Sequence, residues 1–243
     1  MKYIVYILLF FPVWVTAQTY KYIGIEDGLS NRRIFNIQKD AQGYMWFLTN
    51  EGMDRYNGKD IKHYQLNKEG NTLDAPIRLG WLYTEPHIGI WVIGKQGRIF
   101  QYDANKDDFR MVYRLPDTSE TISCGYLDRN NNIWLCRKDT ILLYNIKDAR
   151  IFQFSNIFHT SITAIEQVDE HHFFIATETG VRYVKLENDI LEIIPVETLD
   201  YFHAQVSELY FHQQLKRLFI GSFERGVFVY DTNTQEIIRP DAD

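Results

Sequence analysis

Residues 34–66, IFNIQKDAQGYMWFLTNEGMDRYNGKDIKHYQL, divide into four short apolar-rich segments separated by turn signals. Residues 34–37 read as a first strand, Asp40-Ala41-Gln42-Gly43 as a turn and residues 44–49 as a second strand. Asn50-Glu51-Gly52 turns the chain into a third strand at 53–56. Asn57-Gly58 is a hairpin dipeptide, because both positions tolerate positive φ. Residues 61–66 then alternate as a partly exposed fourth strand. Four antiparallel strands joined in chain order make one propeller blade.

The same phrase returns four more times. Its aromatic anchors are Trp46, Trp91, Trp134, Phe174 and Phe219, at intervals of 45, 43, 40 and 45 residues. Each is followed by a tyrosine: Tyr56, Tyr102, Tyr144, Tyr183 and Tyr230. A period near 40–45 residues built from short β segments is the signature of propeller blades. The chain is therefore expected to be all-β, with five four-stranded antiparallel blades at about 34–66, 79–113, 122–154, 162–194 and 206–238. Either five blades close a ring or they form an open part of a larger propeller; the second reading is preferred, because no capping feature follows residue 238. Residues 20–23 are expected to form a lone extra strand, of the kind that completes the last blade in many propellers. A small residue follows several anchors (Gly94, Ala176, Gly221), as crowding between converging sheets requires. Leu48 and Cys136 break that rule, so their positions are expected to be less crowded.

Composition bounds the rest. With 45% hydrophobic residues, 24% charged and only 6 Pro, the chain reads as folded throughout after residue 17. Its 15% aromatic content suits pleated sheets. The net charge of −6, without any basic stripe, argues against nucleic acid as the main partner. Residues 1–17 read as a secretory signal peptide: Lys2, then an apolar stretch, then Val15-Thr16-Ala17 as a small-residue cleavage site. The alternative is an uncleaved anchor, but the stretch is shorter than the ~20 residues a span needs. No later stretch could cross a membrane, so the mature chain carries no direct span. Cys124 and Cys136 face each other if Asn130 centres the hairpin between them, and two free buried thiols are preferred to a disulfide.

The ordered set Glu26-Asp27-Gly28-Leu29-Ser30-Asn31, Ile34-x-x-Ile37, Asp40-x-x-Gly43-x-x-Trp46-Phe47-x-Thr49 and Gly52-x-x-x-Tyr56-x-Gly58 resembles the opening of two-component regulator propellers. The second and third repeats match moderately, the fourth lacks the Trp and much of the turn, and the fifth keeps mainly Gly221-Ser222, Gly226 and Tyr230. The resemblance implies the N-terminal periplasmic sensor region of a hybrid histidine kinase. In that family two seven-bladed propellers precede an immunoglobulin-like domain, a transmembrane helix, a kinase core, a receiver and a DNA-binding region. This sequence holds none of those later parts, so it is expected to bind a signal, such as a glycan fragment, without kinase activity.

The residues themselves mark no catalytic centre. Asp-x-x-Gly-x-x-Trp invites comparison with an Asp-box, yet Asp40 is read as accepting backbone N–H groups in its turn. His171 and His172 are adjacent and would point to opposite faces of a strand, and His159, His203 and His212 have no ligand spacing with them. No metal and no cofactor is expected. A ligand site is sought by topology: loops from each outer strand to the next blade share one propeller face with the loops between second and third strands. That face gathers Arg32, Arg33, Asn50, Glu51, Arg78, Lys95, Arg137, Lys138, Glu178, His203, Glu224 and Arg225. Arginines would give acidic or hydroxyl-rich sugars bidentate contacts, with Tyr201 or Phe223 offering a ring to stack on. An oligosaccharide, a second copy of the chain and further blades are the expected partners. A propeller lyase or glycosidase, needing a carboxylate pair, and a pure interaction scaffold are the alternatives.

Overall fold

In the computed structural model, residues 20–66, 79–117 and 119–239 are described. The 1–17 stretch and Arg78 lie outside the described residues. Each run of four segments becomes a four-stranded antiparallel sheet ordered as in the chain. Blade 1 contains β1 (Ile34–Lys39), β2 (Met45–Thr49), β3 (Gly52–Tyr56) and β4 (Ile61–Tyr64). Blade 2 contains β5 (Leu79–Glu85), β6 (Gly89–Gly94), β7 (Arg98–Asp103) and β8 (Asp108–Arg114). Blade 3 contains β9 (Cys124–Leu127), β10 (Asn132–Cys136), β11 (Thr140–Asn145) and β12 (Ile151–Ser155). Blade 4 contains β13 (Ile162–Gln167), β14 (His172–Thr177), β15 (Gly180–Glu187) and β16 (Ile190–Ile194). A single helical turn, α1 (Glu197–Asp200), leads into blade 5, made of β17 (Val206–His212), β18 (Arg217–Ser222), β19 (Gly226–Asp231) and β20 (Glu236–Ile238). The molecule is a β-propeller of five blades, nearly all sheet.

The first turn of blades 1 and 3 shows why Asp and Trp recur six residues apart. Asp40 Oδ1 accepts the N–H groups of Gln42 and Tyr44 at 3.0 and 2.9 Å, and Oδ2 accepts Trp46 Nε1–H at 2.7 Å. Asp128 repeats the arrangement with the N–H groups of Asn130 and Asn132 and with Trp134 Nε1–H, at 2.9, 2.8 and 2.9 Å. One carboxylate thus closes the turn and fixes the indole that packs between blades, which is a structural role. Gly43 (φ 91°) and Asn131 (φ 67°) occupy the same left-handed position. Blade 2 lacks the aspartate, and Trp91 Nε1–H donates to the Ile88 carbonyl at 2.9 Å instead.

Each sheet has a forward face toward the next blade and a rear face toward the previous one. Trp46 and Leu48 of blade 1 meet Leu82 and Val92 of blade 2. Trp91 and Ile93 meet Leu127 and Ile133 of blade 3. Trp134 and Cys136 meet Ile165 and Phe173 of blade 4, and Phe174 and Ala176 meet Leu209 and Phe211 of blade 5. The core is therefore four slabs between consecutive blades, and among the described residues no such slab joins blade 5 to blade 1.

Several expectations need correction. Leu48 and Cys136 are fully buried in the slabs between blades, so these positions are as enclosed as their neighbours. Residues 20–23 form no strand. Lys21 Nζ reaches the Tyr56 hydroxyl of blade 1 at 2.5 Å, which ties the segment to that blade by a side chain rather than by strand pairing, and a 3-10 turn (Ile25–Asp27) follows. The anchors Trp46, Trp91, Trp134 and Phe174 are at most 2% exposed, but Phe219 is only partly buried. Among the described residues no blade packs on its forward face. Cys124 and Cys136 are directly paired residues of β9 and β10 with free thiols, and burial pushes the Cys136 thiol well up.

Candidate functional site

The proposed ligand face is built by a repeated lock. Thr49, Thr177 and Ser222 each end a second strand, and their hydroxyls donate to the carbonyls of Gly52, Gly180 and Gly226 at 3.2, 3.2 and 3.0 Å. The same oxygens accept the N–H groups of Glu51, Thr179 and Arg225 at 3.1, 3.3 and 2.9 Å. The loop carrying Glu178 or Glu224 is thereby held in one shape. Its glycine is pressed onto the connection that enters the next blade: a Cβ on Gly180 would lie 2.3 Å from the Phe202 carbonyl oxygen. Gly180→Ala should cost about 2 kcal/mol of stability, measured by urea denaturation, and should shift the loop bearing Glu178.

Four of the twelve candidate residues meet. Glu178 from blade 4, His203 from the connection, and Glu224 and Arg225 from blade 5 line one cleft of about 330 Å³ with Thr179, Gln205 and Ser222. Arg225 Nη1 donates to the His203 carbonyl at 3.2 Å, Phe223 N–H donates to the Gln205 carbonyl at 3.1 Å, and Thr160 Oγ1 donates to Glu178 Oε2 at 3.3 Å. Tyr201 and Phe223, at 77% and 66% exposure, stand on the two loops that bound the cleft. Two carboxylates, one guanidinium and one imidazole make this a mixed, donor-and-acceptor surface rather than a cationic one.

The other candidates stay apart. Arg32, Arg33, Asn50 and Glu51 are exposed at blade 1, and Arg33 lies over the Phe35 ring at 5.1 Å. Lys95 is exposed beside Trp81, and Lys138 is exposed with its carbonyl accepting Asn156 Nδ2–H at 2.8 Å. Arg137 corrects the expectation of a surface cation: it is 8% exposed, and its guanidinium donates to the Asp117 carbonyl. A connection that folds back over the loop buries it. Among the described residues no group of three or more His, Cys, Asp or Glu could hold a metal ion, and His172 instead pairs with Asp169 at 2.8 Å and stacks on Tyr183.

A second cleft, unmarked by sequence reasoning, opens on the opposite propeller face between blades 1 and 2. It has a volume of about 310 Å³ and is walled by Tyr44, Trp46, Arg55, Glu85, Ile90 and Tyr102. Below it, Asp107 (φ 47°) accepts Arg55 at 2.9 Å, Lys62 at 2.6 Å, and the hydroxyls of Tyr64 and Tyr102 at 2.7 and 2.5 Å. Partial burial would raise the Asp107 carboxyl, but these four donors together hold it below the usual carboxylate range. Burial, then the bond to Asp107, pushes the Tyr64 hydroxyl far up. Arg55 also faces the rings of Tyr44, Trp46, Tyr64 and Tyr102. The cluster clamps the outer edges of two blades. Only a backbone turn at positive φ brings its aspartate to residues 43–52 positions earlier in the chain, a proximity no local pattern encodes.

Residues 28–51 match the family model described as two component regulator propeller. No curated protein matches the chain. Among solved structures, it is similar to the extracellular domain of the hybrid two-component system BT3049 from B. thetaiotaomicron, with a TM-score of 0.68, 18% identity and coverage of 90% of this chain and 31% of that one. The extracellular domain of the hybrid two-component system BT4673 from B. thetaiotaomicron gives a TM-score of 0.64 and 17% identity, covering 90% of this chain and 28% of that one. Sqt1 of Saccharomyces cerevisiae gives 0.61 and 14%, covering 85% and 62%. The chain thus spans about 30% of the length of the two bacterial domains. Among the described residues no helix is long and apolar enough to cross a membrane. This chain carries a two-component regulator propeller repeat in its first blade, on a β-propeller fold shared with the extracellular domains of hybrid two-component systems.

Proposed function

We propose that the chain is a ligand-sensing propeller of the periplasm, exported by its 1–17 signal peptide, that binds a hydroxyl-rich glycan fragment without catalysing a reaction. One observation carries the reading: Glu178, His203, Glu224 and Arg225, chosen by loop topology alone, line a single cleft across the boundary of blades 4 and 5. Its volume of about 330 Å³ suits a small ligand. The two glutamates disfavour an acidic sugar and favour hydroxyl donors, while Arg225 and Gln205 supply donors for ring oxygens. A ligand held by loops of both blades binds best when their relative position is fixed, which is the differential affinity that signalling requires.

Calorimetric titration of the mature chain with a panel of neutral and acidic oligosaccharides tests this. Heat is expected with a neutral member, and Glu178→Gln or Arg225→Ala should each weaken binding roughly tenfold or more. A folded chain that gives no heat with any sugar rules the reading out. The two carboxylates favour one second reading, a glycosidase using Glu178 and Glu224 as acid and nucleophile or base. Release of reducing sugar in the same samples, abolished by Glu224→Gln, would select it.

A further inference from the structure

The cleft between blades 1 and 2 is a gap that the boundary of blades 3 and 4 fills with its own side chains. In blade 4, the pair next to the anchor pair across the first two strands is Gln167 and Phe173. The Phe173 ring packs on Trp134 at 5.0 Å between centroids, and Gln167, 1% exposed, accepts the Arg129 N–H on Oε1 at 2.7 Å. Blade 2 has Thr84 and Ile90 at the same two places, and Ala41 follows the turn aspartate where blade 3 has Arg129. Thr84 Oγ1 donates to the Lys39 carbonyl at 3.0 Å. Three smaller side chains thus leave about 310 Å³ open between the blades, and the piece missing beside Trp46 is an aromatic ring.

The groups around the gap that remain open to a ligand carry one charge of each sign. Arg55, on blade 1, donates from Nη1 to the Tyr102 hydroxyl and Asp107 Oδ1 at 2.7 and 2.9 Å, and from Nη2 to Asp107 Oδ2 at 3.4 Å. Its other N–H groups, on Nε and Nη2, lie along one edge of the guanidinium and form the fork that a carboxylate fits. Glu85, on blade 2, is exposed at the cleft wall and has no hydrogen bond or ion pair with any described residue. Asp40 also borders the cleft, but its carboxylate is already taken by its turn and by Trp46. Tyr44 and Tyr102 present ring surface, and Ile90 lies at the apolar floor.

We infer that this cleft binds an aromatic α-amino acid as its zwitterion, with the ring beside Ile90, the α-carboxylate on the open fork of Arg55 and the α-ammonium on Glu85. The ring follows from what is missing, since the cleft is the place of Phe173 without its phenyl group. The two charges follow from the two blades. Arg55 calls for an anion and Glu85 for a cation, and a ligand carrying both leaves neither unmatched. The site is on the other propeller face from the cleft between blades 4 and 5, and is independent of any ligand there.

Calorimetric titration of the purified chain with free phenylalanine and with free tryptophan tests this, and saturable binding is expected. Phenylpropionate, which lacks the ammonium, and phenethylamine, which lacks the carboxylate, should each bind roughly tenfold or more weakly. Alanine, without a ring, should give no binding. Glu85→Gln should weaken phenylalanine roughly tenfold and leave phenylpropionate unchanged. Ile90→Phe fills the gap from the protein's own side and should abolish binding. Blade 4 carries a phenylalanine at this place, and unchanged circular dichroism would confirm that the variant folds. A folded wild type that binds neither amino acid overturns the inference. So does binding that survives Ile90→Phe, or phenylpropionate that binds as tightly as phenylalanine.

Discussion

Trp134→Ala should lower the unfolding free energy by about 3–5 kcal/mol, while Phe219→Ala, the same kind of truncation at the equivalent place in blade 5, should cost about 1 kcal/mol. The difference lies entirely in what covers the ring. Trp134 is 0% exposed, packs on Phe173 of blade 4 at 5.0 Å between centroids, and gives its indole N–H to Asp128. Alanine there empties a slab between blades and leaves a buried carboxylate oxygen short of a donor. Phe219 already touches solvent. Because each blade contacts only its neighbours, removing Trp134 should also loosen the coupling between blades 3 and 4, as in any linear array. Urea denaturation followed by tryptophan fluorescence and by far-ultraviolet circular dichroism would read this as a lower midpoint and a broader transition. Equal costs for the two truncations would mean that the Phe219 face is covered in solution.

What could be read from residues alone was what turn spacing and strand order encode. Asp40 and Asp128 stand six residues before Trp46 and Trp134 because one carboxylate must reach both the turn N–H groups and the indole N–H, so spacing announced geometry. Loop topology likewise brought Glu178, His203, Glu224 and Arg225 to one face, since strand order dictates which loops lie together. What stayed hidden depends on contacts between blades or on the absence of one. Phe219 obeys the anchor pattern, but among the described residues no sheet packs on it. Arg137 sits on the expected loop, yet the segment around Asp117 folds over it. Residues 20–23 have the composition of a strand, and composition cannot supply a partner edge. The cluster on Asp107 joins residues from three strands of two blades, so no window of sequence contains it.

Glu166 should make the chain more stable at pH 5 than at pH 8, by about 2–3 kcal/mol relative to a Glu166→Gln variant. It pairs with Phe174 across the first two strands of blade 4, the place that blades 2 and 3 give to Tyr83 and Tyr126, and its Oε1 accepts the Phe211 N–H of blade 5 at 3.3 Å. There, burial lifts its carboxyl from 4.5 to about 7. The Phe211 N–H and the Arg129 guanidinium oppose the rise, and Glu208, itself raised mainly by burial, adds to it. A glutamate whose folded pKa exceeds its unfolded one holds an extra proton in the folded state between those values. Its contribution is therefore fully present below about 4.5 and is lost as the pH climbs through about 7. A glutamine keeps an acceptor for Phe211 N–H and never ionises, so its stability should change less over the same interval, with the remainder owed to Glu208. Urea midpoints for both proteins at several pH values give the comparison. Parallel curves for wild type and Glu166→Gln would show that Glu166 is solvated at the boundary of blades 4 and 5, and that this boundary opens in solution.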